Sequence, residues 1–368
     1  MRNFSGAKRV VVKVGTNILT KNKGIDTGYI KSIAAQLGSL VRKSRECILV
    51  SSGAIGFGSM QLGIKKASRN IRMKQSLAAV GQRILMNEYA KAFAKQHIEI
   101  AQILMTYDVI SERKTFLNLR SCIEKLLSMG VVPIINENDV ISIDEIGTRF
   151  GDNDRLSALV ASKIDADLLI LLTDIDGLYD DNPKKNDKAG KLSIIEKITP
   201  RIKRYAGRSG SLFAVGGMHT KIDAAKIAMD AGCSTIIADG RQQKVLPRIM
   251  GGEEIGTLFL AKGKLSSKKR WILNAKPSGR IRVNKLAEEV LKKGKSSLLP
   301  IGIEKVEGNF SKGDVVRLND FAQAVADLDS KDMDKVKGMK SSRACRILGK
   351  KCRDEVIRKE NIVFIRKL

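Results

Sequence analysis

The residues with the most chemical potential form two tight clusters of acids and amides, Asn136-Glu137-Asn138-Asp139 and Asp152-Asn153-Asp154. A short polar segment separates them. Carboxylates at such density hold cations, and amides donate to anions. Two lysines stand where an anion is needed beside them. Lys13 lies inside the β-branched run Val10 to Val14, and Lys221 follows a glycine pair at Met218-His219-Thr220-Lys221. A lysine within an apolar strand is costly unless its ammonium emerges beside an anion. Two lysines and several carboxylates facing one cleft suit phosphoryl transfer. The ammonium groups neutralise the moving phosphoryl group, the acids orient them, and no covalent nucleophile is required. With 2 histidines and no Ser-His-Asp order in the chain, a hydrolytic triad is disfavoured.

These residues sit at the ends of elements that alternate in type. Val10 to Val14, Cys47 to Val50, Ile98 to Met105, Val131 to Ile135 and Asp167 to Leu172 read as buried strands. Helical spacing runs through Ile30, Ile33, Ala34, Leu37, Leu40 and Val41 after Asp26-Thr27, and again over 116–129. A long helix over 72–95 places Met73, Leu77, Val80, Ile84, Leu85 and Tyr89 on its apolar face. Apolar strands alternating with helices predict a largely parallel sheet covered on both faces. In such a sheet the strand C-termini share one edge. That edge collects Lys13-Gly15, Ser52-Gly53, Asn136 to Asp139 and Thr173-Asp174, and two helix starts add Asp152 to Asp154 and Gly216 to Lys221. Ser51-Ser52-Gly53 after a strand offers hydroxyls and backbone N–H groups to an anion. The glycine pair before Thr220-Lys221 does the same with a helix dipole. His219 reads as a loop histidine beside that glycine turn rather than a base. The first stretch is no dinucleotide fingerprint, since from Gly56 and Gly58 the third glycine would fall at Gln61; the second is no Walker A loop, and near Gly294-Lys295-Ser296 the glycine such a loop requires is Glu289.

Composition narrows the class further. The chain has 368 residues, 43% hydrophobic, 4% aromatic, so its core is aliphatic. No apolar run approaches the ~18 residues of a membrane span. The 5 cysteines are widely spaced, which predicts reduced thiols in a cytoplasm-like compartment and no zinc site. A formal charge of +28 suits anionic ligands, although the basic residues are dispersed among acids. After a basic stretch, 261–270, the pattern changes to short β segments, including 280–283, 297–303, 314–318 and 362–365, with helical stretches near 286–293 and 331–337. This is read as a separate small β-rich domain.

The motifs Val11-Val12-Lys13-Val14-Gly15-Thr16-Asn17, Ser51-Ser52-Gly53-Ala54-Ile55, Ile135-Asn136-Glu137-Asn138-Asp139, Gly151-Asp152-Asn153-Asp154, Leu172-Thr173-Asp174 and Gly216-Gly217-Met218-His219-Thr220-Lys221 together resemble the glutamate 5-kinase family of the amino-acid kinase superfamily. The last hundred or so residues resemble a PUA domain, through 294–300 and 306–310. The resemblance implies an open three-layer αβα sandwich, an α/β fold with a mainly parallel central sheet, over residues 1–262. It implies a PUA domain over 276–360, with 263–275 as linker. It further implies transfer of the γ-phosphoryl group of ATP, with Mg²⁺ held by the phosphates and no direct protein ligand, to the side-chain carboxylate of L-glutamate.

The implied roles follow residue by residue. Lys13 and Lys221 stabilise the transferring phosphoryl group, with Asp154 holding both. Ser52, Gly53 and Asn153 grip the side-chain carboxylate, while Asp139, with Asp152 and Asn136, binds the α-amino group. Lys13, Gly15, Thr173, Asp174, Val215, Gly216, Gly217, Met218, His219, Thr220 and Lys221 line the nucleotide site. One departure is Val215, where the family usually has Thr. The lost hydroxyl predicts altered nucleotide affinity rather than lost activity. Implied partners are a second or further copies of the chain, as a dimer or tetramer, and proline as feedback inhibitor acting through 140–150. Two alternatives stand beside this reading: a kinase of the same fold acting on another small acid, carbamate or a nucleoside monophosphate, and an RNA-binding protein acting through the PUA domain. Against the latter, Trp271, Phe310, Phe321 and Phe364 are too scattered to form the usual stacking platform.

Overall fold

The computed structural model describes residues 2–21, 24–64, 70–106, 109, 112–141, 153–183, 186, 188–208, 217–263, 265–294, 296–349 and 354–365. The chain divides into two compact units, Met1–Leu265 and Ser266–Leu368.

In the first unit the strands of the main sheet are β1 (Arg9–Val14), β2 (Glu46–Val50), β3 (Ile100–Met105), β4 (Val132–Glu137), β5 (Leu168–Thr173), β6 (Ile194–Ile195), β7 (Ser234–Asp239) and β8 (Thr257–Phe259). They form one sheet in the order β3-β4-β2-β1-β5-β7-β8-β6. The pairs from β3 to β7 are all parallel, and β8 runs antiparallel to β7. The helices are α1 (Thr27–Arg42), α2 (Ala54–Gln61), α3 (Ile71–Ala94), α4 (Arg113–Ser128), α5 (Asn153–Lys163), α6 (Pro200–Arg208), α7 (Met218–Asp230) and α8 (Val245–Met250).

Period-2 alternation splits the strand side chains between two aliphatic cores. Val10, Val12, Leu49, Ile134, Leu168 and Ile170 pack on one face with α1 and α3. Val11, Ile48, Val50, Ile135, Leu169 and Leu171 pack on the other with α5 and α7. The expected helix-sheet-helix sandwich is therefore present. Alternation also decides where the polar strand ends go. Lys13 follows Val11 onto the α5/α7 face, and Asn136 follows Ile134 onto the α3 face.

The buried stripe of α3 is rotated from the one expected. Leu77, Ala78, Gly81, Gln82, Leu85, Tyr89, Ala92 and Phe93 are buried, whereas Met73 is exposed and Val80 and Ile84 only half-buried. Close contact with α2 is the cause. A Cβ on Gly81 would lie 1.8 Å from the Ala54 carbonyl oxygen, and one on Gly58 would lie 1.9 Å from that of Leu77. Only glycines let the two backbones meet there, so the stripe follows Gly81 instead of the larger apolar residues. Among the described residues no helix is long and apolar enough to cross a membrane. Cys47, Cys122 and Cys233 are free thiols. Cys345 takes part in a disulfide, which corrects the expectation of reduced thiols at that position.

The second unit begins with α9 (Ser267–Asn274), a helix that starts inside the basic stretch 261–270 and runs past it. Its sheet contains β9 (Gly279–Val283), β10 (Ile303–Gly308), β11 (Val315–Leu318), β12 (Ala322–Val325) and β13 (Ile362–Phe364), in the order β10-β9-β11-β12-β13. Helices α10 (Lys285–Lys292), α11 (Ser330–Val336) and α12 (Ser341–Leu348) complete it. Ile281, Val316, Leu318, Ala322, Ala324 and Met333 are at its core. The strand expected over 297–303 is instead a 3₁₀ turn, Pro300–Gly302, followed by β10. Pro300 is the reason: it fixes φ and lacks the N–H that a ladder requires.

Candidate active site

The site lies at the C-terminal edge of the parallel strands, where the strand order reverses beside β1. The chain steps from β1 to β2 on one side and returns to β5 on the other. Open α/β sheets bind ligands at such a switch point.

At its centre is one carboxylate. Asp154, fully buried in the first turn of α5, has Oδ1 2.5 Å from Lys13 Nζ and Oδ2 3.0 Å from Lys221 Nζ. Lys13 and Lys221 are only 5% and 3% exposed, so both ammonium groups are held by this contact and not by water. The elements explain the meeting. β1 delivers Lys13 to the α5/α7 face, α5 delivers Asp154, and Gly217, extended at φ −68° and ψ 176°, starts α7 so that Lys221 sits in its first turns. Thr220 Oγ1 adds a hydrogen bond to Asp154 Oδ2 at 3.2 Å. Burial raises the Asp154 carboxyl, but the Lys13 and Lys221 ammonium groups outweigh it and bring it to about 2. The carboxylate is thus ionised throughout the physiological range, with two lysines aligned on it.

On the β2/β4 side of Lys13 lies a chain of amides. Asn153 Nδ2 donates to the Ser51 carbonyl at 2.5 Å, to Asn136 Oδ1 at 2.8 Å and faces Ser52 Oγ at 3.0 Å. Asn136 Nδ2 donates in turn to Gln82 Oε1 at 2.8 Å, and Ser51 Oγ meets the Tyr89 hydroxyl at 3.0 Å. Ser52 Oγ lies 3.0 Å from Asn153 Nδ2, and its own O–H hydrogen is able to turn to a ligand oxygen. Gly53, at φ +95° in the left-handed region, turns the chain from β2 into α2 and sets free backbone N–H groups at that helix start. Asp139, half-buried just beyond β4, is on the same side.

On the β5 side, Gly15 N–H donates to the Leu172 carbonyl at 3.2 Å and continues the sheet past β1. Asp174 Oδ2 accepts from Asn17 Nδ2 at 3.1 Å and Oδ1 from the Thr173 hydroxyl at 3.0 Å. Burial raises the Asp174 carboxyl; these hydrogen bonds, with Lys221, lower it further than burial raises it. Met218 is buried in the first turn of α7. His219 lies in that helix turn and not in a loop, with Nδ1 3.6 Å from Asp223 and more than half of its side chain exposed. That places it away from the lysine pair's carboxylate.

Of the residues singled out from the sequence, Asp152, Val215 and Gly216 lie outside the described residues, as does the stretch 142–150. Three participants were not singled out: Gln82, Tyr89 as a polar contact, and Asn17 as the donor to Asp174. Gln82 carried one available signal, a polar residue inside the buried stripe of α3. Among the described residues no group of His, Cys, Asp and Glu is arranged to hold a metal ion.

Comparison with known proteins agrees with this architecture. Residues 8–239 match the model of the amino acid kinase family, and residues 279–348 match the PUA domain. The chain is 48% identical to a glutamate 5-kinase of Methanosarcina acetivorans, over 98% of this chain and 96% of that one. It is 49% identical to that of Methanosarcina barkeri, over 96% of each. It is 42% identical to that of a Geobacter species, over 97% of this chain and 98% of that one. Among solved structures, carbamate kinase from Giardia lamblia bound to AMP-PNP has the same fold, with TM-score 0.51 at 20% identity, covering 70% of this chain and 100% of that one. A lysine pair on one buried aspartate, at the switch point of a parallel sheet, is therefore set in a sequence that places this chain in the amino acid kinase family, among the glutamate 5-kinases.

Proposed function

We propose that the protein transfers the γ-phosphoryl group of ATP to the γ-carboxylate of L-glutamate, giving L-glutamyl 5-phosphate, the first step of proline biosynthesis. The observation that carries the reading is the Asp154 carboxylate between Lys13 and Lys221. Attack by a carboxylate on a phosphate brings two anions together. Two desolvated ammonium groups offset that repulsion, and they count for more as charge shifts in the transition state.

The sheet order supports a division of labour. β2 and β4 lie on one side of β1, and β5 and β7 on the other. We assign the first side to the acid. Ser52 O–H and the Gly53 backbone hold the carboxylate to be phosphorylated, and Asn153 fixes the Ser52 hydroxyl. Asp139, with Asn136 and Asp152, takes the α-amino group, since a cationic amine wants carboxylates. We assign the second side to the nucleotide, with Gly15, Thr173, Asp174 and Gly217 to Lys221 along it, and we assign Val215 and Gly216 to the nucleotide from the sequence alone. The residues fit a polyphosphate: the lysines supply charge, and Gly217 opens a helix whose first N–H groups have no helical acceptor. Mg²⁺ enters with the nucleotide, held mainly by phosphate oxygens. The protein acts in the cytoplasm as a homo-oligomer and is inhibited by proline.

The test is a coupled assay of ADP release with L-glutamate, other small acids, carbamate and nucleoside monophosphates as acceptors. L-glutamate is expected to be the preferred acceptor, and the activity to fall when proline is added. Preference for any other acceptor defeats the assignment.

A further inference from the structure

One donor on the acid side is left over. Gln82 is 9% exposed on α3, and its Oε1 accepts from Asn136 Nδ2 at 2.8 Å. Its Nε2 is buried and has no hydrogen-bond partner among the described residues. Buried donors are nearly always paired, and an orphan calls for an explanation.

Turning the amide over does not relieve it. The Glu137 backbone N–H donates to Asn136 Oδ1 at 2.9 Å, so that end of Asn136 is the acceptor and Nδ2 faces Gln82. Asn153 must present nitrogen to the same Oδ1 and to the Ser51 carbonyl. Two backbone groups, Glu137 N–H and Ser51 C=O, therefore fix the polarity of the whole chain of amides. Gln82 must give its oxygen to Asn136 and keep its nitrogen free. That free –NH₂ lies at one end of a chain whose other end is the Ser52 hydroxyl.

We propose that Gln82 is a substrate-binding residue for the acid acceptor, its Nε2 donating to the carboxylate that is not phosphorylated. The inference rests on the assignment of the β2/β4 side to the acid. The reacting carboxylate must lie beside Lys13 and Lys221, on the α5/α7 face. Gln82 reaches the site from the α3 face, so it meets the opposite end of a dicarboxylic acid. There it selects acids that carry a second carboxylate. A single donor pair facing the far carboxylate raises affinity without touching the transferring group, so its loss acts on KM and not on kcat.

Three variants separate this role from others. Gln82→Glu keeps the acceptor for Asn136 but sets an anion against the substrate's carboxylate. Gln82→Met keeps the volume and loses both hydrogen bonds. Gln82→Asn keeps the amide and shortens its reach. The expected order of acceptor KM is Glu above Met and Asn, with Gln82→Glu raised by about 30-fold or more. kcat and the KM for ATP should stay within about threefold of wild type. A residue that only orients Asn136 predicts Gln82→Glu near wild type and Gln82→Met impaired. A packing residue predicts Gln82→Met near wild type. Either result overturns the proposal. Should Gln82→Glu fail to fold, Gln82→Asn decides, with an unchanged acceptor KM counting against. The measurements use whichever acid the wild type phosphorylates. If that acid is not glutamate the functional assignment falls, and the Gln82 comparison still gives its own answer.

Discussion

Lys13 and Lys221 come from opposite ends of the kinase-fold unit and meet on separate oxygens of one carboxylate, at 2.5 and 3.0 Å from Asp154 Oδ1 and Oδ2. Nothing local in the sequence joins them. β1 brings one and the first turns of α7 bring the other, and a charge placed at the start of α5 locks the pair. Each lysine is nearly sealed from water, so each is already held in place where the proposed transfer calls for it.

This predicts a particular kinetic signature. Lys13→Ala and Lys221→Ala should each lower kcat by about 10²-fold or more, with a much smaller rise in the acceptor KM. Contacts made chiefly in the transition state behave in that way. Steady-state kinetics with both substrates varied provides the check, and a pure KM effect would show that the lysines only bind.

Asp154 should set part of the acid stability. Its carboxyl is brought from 3.8 down to about 2 in the folded protein by Lys13 and Lys221. A lowered folded value means that the unfolded chain binds the proton first. The stabilising contribution is therefore complete above about pH 4, and it is lost as pH falls toward 2. Asp154→Asn leaves two buried ammonium groups without their anion, and should cost about 3–5 kcal/mol. Denaturant titrations at neutral pH and near pH 2.5 would check both points. The difference between wild type and variant must shrink at the lower pH.

The α2–α3 crossing should be intolerant of a single methyl group. Alanine at Gly81 brings Cβ to 1.8 Å from the Ala54 carbonyl oxygen, deep inside contact distance. Alanine favours a helix over glycine by about 1 kcal/mol, but overpacking costs typically 1–3 kcal/mol and more where backbone must move. Gly81→Ala should therefore lower Tm and, by shifting Gln82 and the Gly53 turn, raise the acceptor KM. A Tm at or above wild type would show that the crossing is looser than described.

These elements also show how far the sequence could be read. Lys13 was legible because a lysine inside an apolar strand demands an anion. The acid-amide clusters were legible because two of them flank one connection. The apolar runs of β1 and β5, alternating with helices, were enough to imply a sheet covered on both faces. Gln82 was not legible: its partner Asn136 comes from another element, and the stripe of α3 drawn through Val80 and Ile84 follows bulk, whereas the fold follows Gly81. Likewise the 297–303 stretch is apolar enough for a strand, yet Pro300 stops the ladder there. Backbone approach and tertiary amide partners leave no periodic signal in a chain.

The last prediction follows from sheet order. β1 carries Lys13 between β2 and β4 on one side and β5 and β7 on the other, so the two substrates should be separable by mutation. Asp139, just past β4, should act on the acid alone: Asp139→Ala is expected to raise the glutamate KM by about 10-fold or more while the ATP KM holds. Asp174, just past β5, accepts from Asn17 and Thr173 and stays ionised through those bonds. Asp174→Ala should do the reverse, raising the ATP KM and sparing that for glutamate. Initial rates over a grid of both substrates would expose the two patterns. If both variants shift the same KM, the two substrates do not divide at β1, and the assignment of sides must be abandoned even if the lysine pair stands.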